Sequence, residues 1–204
     1  HLQLNVRHSP QAREGQWRQH GGIRVFRWDM RSCGAGMGWA RHPYHAGCSD
    51  DLAVVVDAVI KKCCKNKVDI HPDITLFGVS LSGNVLLKYL GESPEQVPTM
   101  VGRAIAVNPP IDLIAGSQSI SDRRNRVYDR HFTNMLLKHL GQWSRLRSDI
   151  FRPADGPRPR TLEDFDNWFT APAIGYRDAR DYYTKASSAQ FIPSIRIPTT
   201  IITA

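Results

Sequence analysis

Four short β-like runs punctuate the chain, Ile23 to Trp28, Ile74 to Phe77, Arg103 to Val107 and Ile197 to Ile202, each bounded by turn residues or by a helical pattern. Their apolar positions are mostly continuous rather than alternating, the pattern of parallel strands covered by helices on both faces. Between the first two, Ser49-Asp50-Asp51 offers a cap and an acidic first turn. Leu52, Val55, Val56 and Val59 then recur at helical spacing, and Lys61, Lys62 and Lys65 close the segment where cations suit the helix dipole. This predicts a crossover helix. After the second run, Gly83 to Leu90 sets Val85, Leu86 and Tyr89 on one side of a second helix. Strand, helix, strand, helix, strand predicts an α/β fold, a mostly parallel, doubly wound sheet with right-handed crossovers.

The strand rhythm breaks over residues 111 to 190, which are basic and rich in Trp, Phe and Tyr, with helices predicted at Asn125 to Leu146 and Asp178 to Ala189. Arg152 to Pro159 reads as a loop, because Pro153, Pro157 and Pro159 fix φ and remove backbone donors. An insertion of this size between two sheet strands is expected to cap their carboxyl ends, where ligands bind in open α/β sheets. Residues 1 to 21 carry few apolar positions and no strand pattern, so they read as an atypical or truncated N-terminal segment before a partial domain over 22 to 204.

Composition narrows the class without naming a chemistry. With 204 residues, 41% hydrophobic and 23% charged, the chain belongs with globular domains whose cores need no disulfide or metal staple. No run approaches the roughly 20 apolar residues of a membrane span. The net charge of +8 is uneven, with Arg and Lys concentrated between residues 121 and 160. That concentration follows no groove-reading pattern, so no nucleic-acid partner is expected. A solvated basic face, or peripheral contact with anionic membrane, accounts for it instead. Cys33, Cys48, Cys63 and Cys64 lack the spacing of a zinc or thioredoxin site and are expected to be free thiols, which suits a cytoplasmic location. The eight histidines include no metal-binding motif.

The chemistry concentrates in Leu76-Phe77-Gly78-Val79-Ser80-Leu81-Ser82-Gly83-Asn84, directly after a predicted strand and directly before a predicted helix. A serine on such a turn exposes its hydroxyl, and the tight backbone demands small residues two places away on either side. Gly78 and Ser82 meet that demand, although the pattern G-x-S-x-G reads here as G-x-S-x-S with Gly83 one place later. The N–H groups at the start of the helix point toward the serine, which makes the Leu81 amide a candidate oxyanion donor. Taken alone, the six residues from Gly78 to Gly83 also fit a plain small-residue turn.

The wider sequence resembles the YheT-like group of the α/β-hydrolase superfamily, esterases and acylglycerol lipases, over about residues 22 to 204. The resemblance rests on Val25 to Gly34, Tyr44-His45-Ala46-Gly47 with Asp50-Asp51-Leu52, Gly78 to Asn84 with Leu86 to Gly91, Asp181-Tyr182-Tyr183 with Ala186-Ser187-Ser188, and Ile197 to Ile202, all in the family's order. It implies an incomplete α/β-hydrolase fold with a helical cap and Ser80 as acyl nucleophile. Leu81 would supply a backbone oxyanion donor, and the substrate would be a small-molecule ester or lipid hydrolysed without cofactor or metal. Asp112, just after the third strand, is the alternative acid, and His45 and Asp51 are expected to hold the loop after the first strand. Trp143, Trp168, Phe169, Tyr182 and Tyr183 are expected to form mostly the cap's own core.

The sequence departs from the family in residues 1 to 21, at Ser32 where the turn usually has glycine, and in stopping at Ala204, ahead of the positions where the family places its triad aspartate and histidine. His71, His131 and His139 are poor substitutes for that base. An unactivated serine is a weak nucleophile, so these 204 residues alone are expected to hydrolyse esters poorly. A non-catalytic remnant or binding protein is the alternative. The pattern leaves acyl-chain length, alcohol and oligomeric state open.

Overall fold

A computed structural model of the chain describes residues 5–7, 25–64, 74–153 and 156–204. Strand β3 (Ile74–Val79), β4 (Val101–Val107) and β5 (Thr199–Ile202) form a three-stranded parallel sheet in the order β3-β4-β5. Gly78 pairs with Ala106 and Val79 with Val107, while Val107 pairs in turn with Ile202. This register brings the carboxyl ends of all three strands level.

Helix α1 (Ser49–Cys64) begins with Asp50 and Asp51 and ends with Lys61 and Lys62, so its charges oppose its dipole. It buries Leu52, Val55, Val56 and Val59. Helix α2 (Leu81–Glu92) is buried continuously from Gly83 to Gly91, which marks it as the central helix against the sheet. Leu52 and Val56 of α1, Val85, Leu86, Tyr89 and Leu90 of α2, and Val101 and Ala104 of β4 make up one core cluster. Helix and strand are pinned together by the burial of these side chains, each Leu or Val contributing about 1.5–3 kcal/mol.

The N-terminal region corrects the sequence on two points. Strand β1 (Asn5–Arg7) lies within the segment expected to hold no strand. It pairs antiparallel with β2 (Val25–Arg27), through Val6 opposite Phe26, so β2 belongs to a two-stranded ribbon and not to the parallel sheet. Two strands each of three residues carry too short a pattern for apolar spacing to reveal.

Between β4 and β5 the chain forms α3 (Leu113–Ser121), α4 (Arg126–Leu146), α5 (Leu162–Phe165), a π-helical turn (Asp166–Thr170), α6 (Ala171–Ala173) and α7 (Ala179–Ala186). This segment has apolar clusters of its own. One gathers Leu113, Ala171, Ala179, Tyr182, Tyr183 and Ala186 around Ala46, and another gathers Trp143, Ile150, Phe165, Phe169 and Ala173. Trp143, Phe169, Tyr182 and Tyr183 are therefore core, while Trp168 is partly exposed. Helix α7 stops three residues before its predicted end at Ala189. Ser187 turns its hydroxyl back to the Tyr183 carbonyl at 2.6 Å and accepts the Leu113 N–H at 2.9 Å, which halts the helix and ties it to α3. Among the described residues no helix is long and apolar enough to cross a membrane.

Candidate active site

Ser80 stands alone between the last residue of β3 and the first of α2, with φ +53° and ψ −125°. A positive φ is rare for a side chain bearing a Cβ and stores strain. Three neighbours enforce it. The Ser80 N–H remains in the sheet, donating to the Val107 carbonyl at 2.8 Å, while the Ser80 carbonyl already accepts the Gly83 N–H at 2.9 Å as the helix begins. The chain thus changes from strand to helix within one residue. Gly78 permits the turn, since a Cβ there would lie 2.6 Å from the Ser82 carbonyl oxygen and 2.9 Å from the Gly83 Cα. Gly83 in turn fits against Pro109, whose Cβ would be 3.0 Å from an added methyl.

Ser82 fills the place where glycine is the more usual residue. Its hydroxyl accepts the Val79 N–H at 2.9 Å and donates to the Val79 carbonyl at 2.7 Å. The extra side chain is folded flat against the turn and staples it. Ser80 itself is exposed. Leu81 is the first residue of α2, so its N–H is among those without an intrahelical acceptor.

Asn84, one turn into α2, anchors this arrangement from beneath. It is fully buried and donates to the carbonyls of Ala46 and Ala186 at 3.0 and 2.9 Å, while its side-chain oxygen accepts the Ser188 N–H at 2.9 Å. Three distant parts of the chain meet on one side chain. The sequence quoted Asn84 within the motif without giving it a task, although a polar residue in an apolar helix face is the signal that marks it. Lys88, one turn further on, is also buried, with its ammonium on Ser49 and Glu92.

The other residues singled out from the sequence have partners elsewhere, and none of those described hydrogen-bonds the Ser80 hydroxyl. Asp112 is exposed and caps α3, its Oδ1 accepting from the N–H groups of Ile114 and Ala115 at 2.9 and 3.0 Å. Asp51 pairs both carboxylate oxygens with the Arg31 guanidinium, and so holds the loop after β2 to α1. His45 accepts the Gly47 N–H on Nδ1 at 3.1 Å, and burial pushes its pKa down to about 4. Ser32 forms the turn in glycine's place with φ +60° and a buried side chain donating to the His42 carbonyl at 3.3 Å. His131 is exposed on α4, burial lowers the pKa of His139 on the same helix, and His71 lies outside the described residues. Among the described residues no group hydrogen-bonds the Ser80 hydroxyl.

Two further acids sit inside the inserted segment. Asp129 is buried on α4 and accepts the Leu162 N–H at 2.7 Å. Asp166 opens the π-helical turn, accepts from the Tyr183 hydroxyl at 2.7 Å, and is pushed up to about 6 by burial. An open cleft of about 500 Å³ lies at Arg158, Arg160, Asp164, Asn167 and Trp168, and neither Ser80, Leu81 nor Asp112 lines it.

Comparison with known proteins points to ester hydrolases. The chain is 28% identical over 168 residues to a monoacylglycerol lipase of Saccharomyces cerevisiae, covering 76% of this chain and 34% of that protein. It is 31% identical over 141 residues to YheT of Escherichia coli, covering 66% and 39%. An abhydrolase domain-containing protein of Dictyostelium discoideum matches at 22% over 185 residues, covering 90% and 45%. These matches support an α/β-hydrolase esterase family for the chain. The chain spans between about a third and a half of the length of the curated relatives just named. No family model matches it. No solved structure matches it either. The parallel sheet flanked by helices is consistent with an incomplete α/β-hydrolase fold.

Proposed function

We propose that this α/β-hydrolase cleaves carboxylic esters, short- or medium-chain esters or acylglycerols, through an acyl-enzyme on Ser80. The observation that carries the reading is the strained Ser80 backbone, φ +53°, on an exposed strand-to-helix turn. The Ser80 oxygen attacks the ester carbonyl carbon, and its proton passes to a base. The carbonyl oxygen becomes an oxyanion that accepts the Leu81 N–H at the positive end of α2. Collapse of the tetrahedral species breaks the ester C–O bond, and the alcohol leaves with the proton. Water then repeats the sequence on the acyl-serine, releasing the carboxylic acid and restoring the hydroxyl.

The reading takes the base, and the acid that orients it, from outside the residues described here, with Asp112 as the secondary candidate for the acid. The helical segment between β4 and β5 serves as a cap that offers apolar side chains to the acyl part of the substrate. The names of the relatives, a monoacylglycerol lipase among them, support an ester or lipid as substrate.

The test uses the longest natural product that contains this sequence. A fluorophosphonate probe is expected to label it stoichiometrically at Ser80, and Ser80→Ala is expected to abolish both labelling and hydrolysis of short-chain p-nitrophenyl esters. Hydrolysis that survives Ser80→Ala would overturn the assignment. Absence of labelling in the wild type would make the protein a non-catalytic relative.

A further inference from the structure

The first half of α4 is built unlike any other helix described here. Asp129 and Thr133 face inward and are buried, yet Tyr128, Phe132 and Met135, spaced i, i+4 and i+7 along one side, are 64%, 44% and 53% exposed. Val127 beside them is 79% exposed. A row of large apolar side chains held in water is costly, and rows of this kind mark interaction surfaces.

The exposed charges around the row are mostly positive. Arg123, Arg124, Arg126, Arg130 and Lys138 are all exposed, and none is in an ion pair among the described residues. The two acids of this stretch are occupied: Asp129 accepts the Leu162 N–H, and Asp122 caps the Arg124 N–H at 2.9 Å. The Asp129 bond also seats the chain that follows Arg158 and Arg160 beside α4, so the basic region extends beyond the helix.

We propose that the outward face of α4 docks on an anionic phospholipid bilayer. Apolar side chains of about this number enter the boundary between headgroups and acyl chains, and the arginines flanking them meet lipid phosphates. A protein surface packed on the same face would have to desolvate four unpaired guanidinium groups, whereas at a headgroup layer they remain hydrated and gain counter-charges. The charge complementarity therefore favours lipid over a second copy of the chain. The proposal does not depend on Ser80, and its measurement involves no catalysis.

The test is flotation of the protein with vesicles of phosphatidylcholine alone and of phosphatidylcholine mixed with phosphatidylserine. The protein is expected to float with the mixed vesicles, at least about tenfold more than with neutral ones, and to detach as salt is raised. Replacing Arg123, Arg124 and Arg126 together by Gln should weaken partition by about a hundredfold, each cation being worth about fivefold. Phe132→Ser with Met135→Ser should weaken it by about tenfold or more. All five side chains are exposed, and matching circular-dichroism melts confirm that the fold is retained. Failure of the wild type to float, or flotation unchanged in either variant, would overturn the proposal. So would light scattering showing a wild-type dimer that the Phe132 and Met135 substitutions split, which would assign the face to a second copy.

Discussion

The sharpest consequence of the Ser80 geometry concerns stability: Ser80→Gly should be more stable than Ser80→Ala. Neither variant has the hydroxyl, so whatever that group contributes cancels between them. What differs is the Cβ. At φ +53° and ψ −125° the backbone lies where a side chain is strained, at a cost of about 1–3 kcal/mol. Alanine keeps that cost and glycine removes it. Against the gain stands glycine's greater freedom in the unfolded chain, worth about 0.4–1 kcal/mol. Position 80 is the cap of α2 and not a helix interior, so no further propensity penalty of the kind glycine carries inside a helix applies. The difference is about 1 kcal/mol in favour of glycine. In a domain of this size that shifts the thermal midpoint by about 2–4 °C. Urea and thermal unfolding of the two variants, followed by circular dichroism under the same conditions, measure it. Equal midpoints, or a less stable glycine variant, would show that the turn is not strained and would remove the physical reason for Ser80 to stand exposed.

Three other outcomes follow from the same contacts. Gly78→Ala forces a Cβ to within 2.6–2.9 Å of backbone atoms of Ser82 and Gly83 and should destabilise by about 1–3 kcal/mol, read as a lower urea midpoint. Asp112→Asn keeps the α3 cap, for which Asn and Asp are equivalent, and should leave the midpoint unchanged, while Asp112→Ala costs about 1 kcal/mol; lost hydrolysis in a still stable Asn variant of the longer protein would give Asp112 a chemical role as well. Between pH 4 and 6 two buried groups oppose each other. His45, lowered to about 4, binds fewer protons folded than unfolded, so its contribution rises with pH; Asp166, raised to about 6, binds more, so its contribution falls. Asp166→Asn should therefore make stability climb more steeply with pH than in the wild type, by up to about 1.4 kcal/mol per pH unit, and parallel urea profiles at pH 4, 5 and 6 would refute it.

The sheet was legible because Ile74 to Phe77, Arg103 to Val107 and Ile197 to Ile202 are near-continuous apolar runs that stand out from their surroundings; the cover on both faces that such runs suggest is not found among the described residues, where Phe77, Val79, Ile201 and Ile202 are exposed. Their ends were less so: β3 runs on through Gly78 to Val79 because the sheet hydrogen bonds continue to Ser80, and β5 begins after Pro198, which has no N–H to give. The Ser80 turn could be read from its small residues. The use of the Ser82 hydroxyl to bridge Val79 could not, since it depends on how tightly the turn closes. Helix α3 escaped notice because Gly116, Ser117, Ser119 and Ser121 dilute its apolar face, and it is held by the Asp112 cap and by Ser187 from far along the chain. Long-range partners of that kind leave no local pattern.

Asn84 has a consequence for the order in which the protein is made. Its bonds reach Ala46, 38 positions earlier, and Ala186 and Ser188, 102 and 104 positions later. Closing loops of that length is an entropic cost met before any contact repays it, so these bonds form after the local helices and strands have assembled. A chain emerging from the ribosome has Gly78 to Gly83 in hand well before the end of α7, yet the buried anchor beneath Ser80 stays open until Ser188 has been synthesised and docked. The Asn84 anchor is thus expected to close after the local bonds of the turn, through residues translated roughly a hundred positions later.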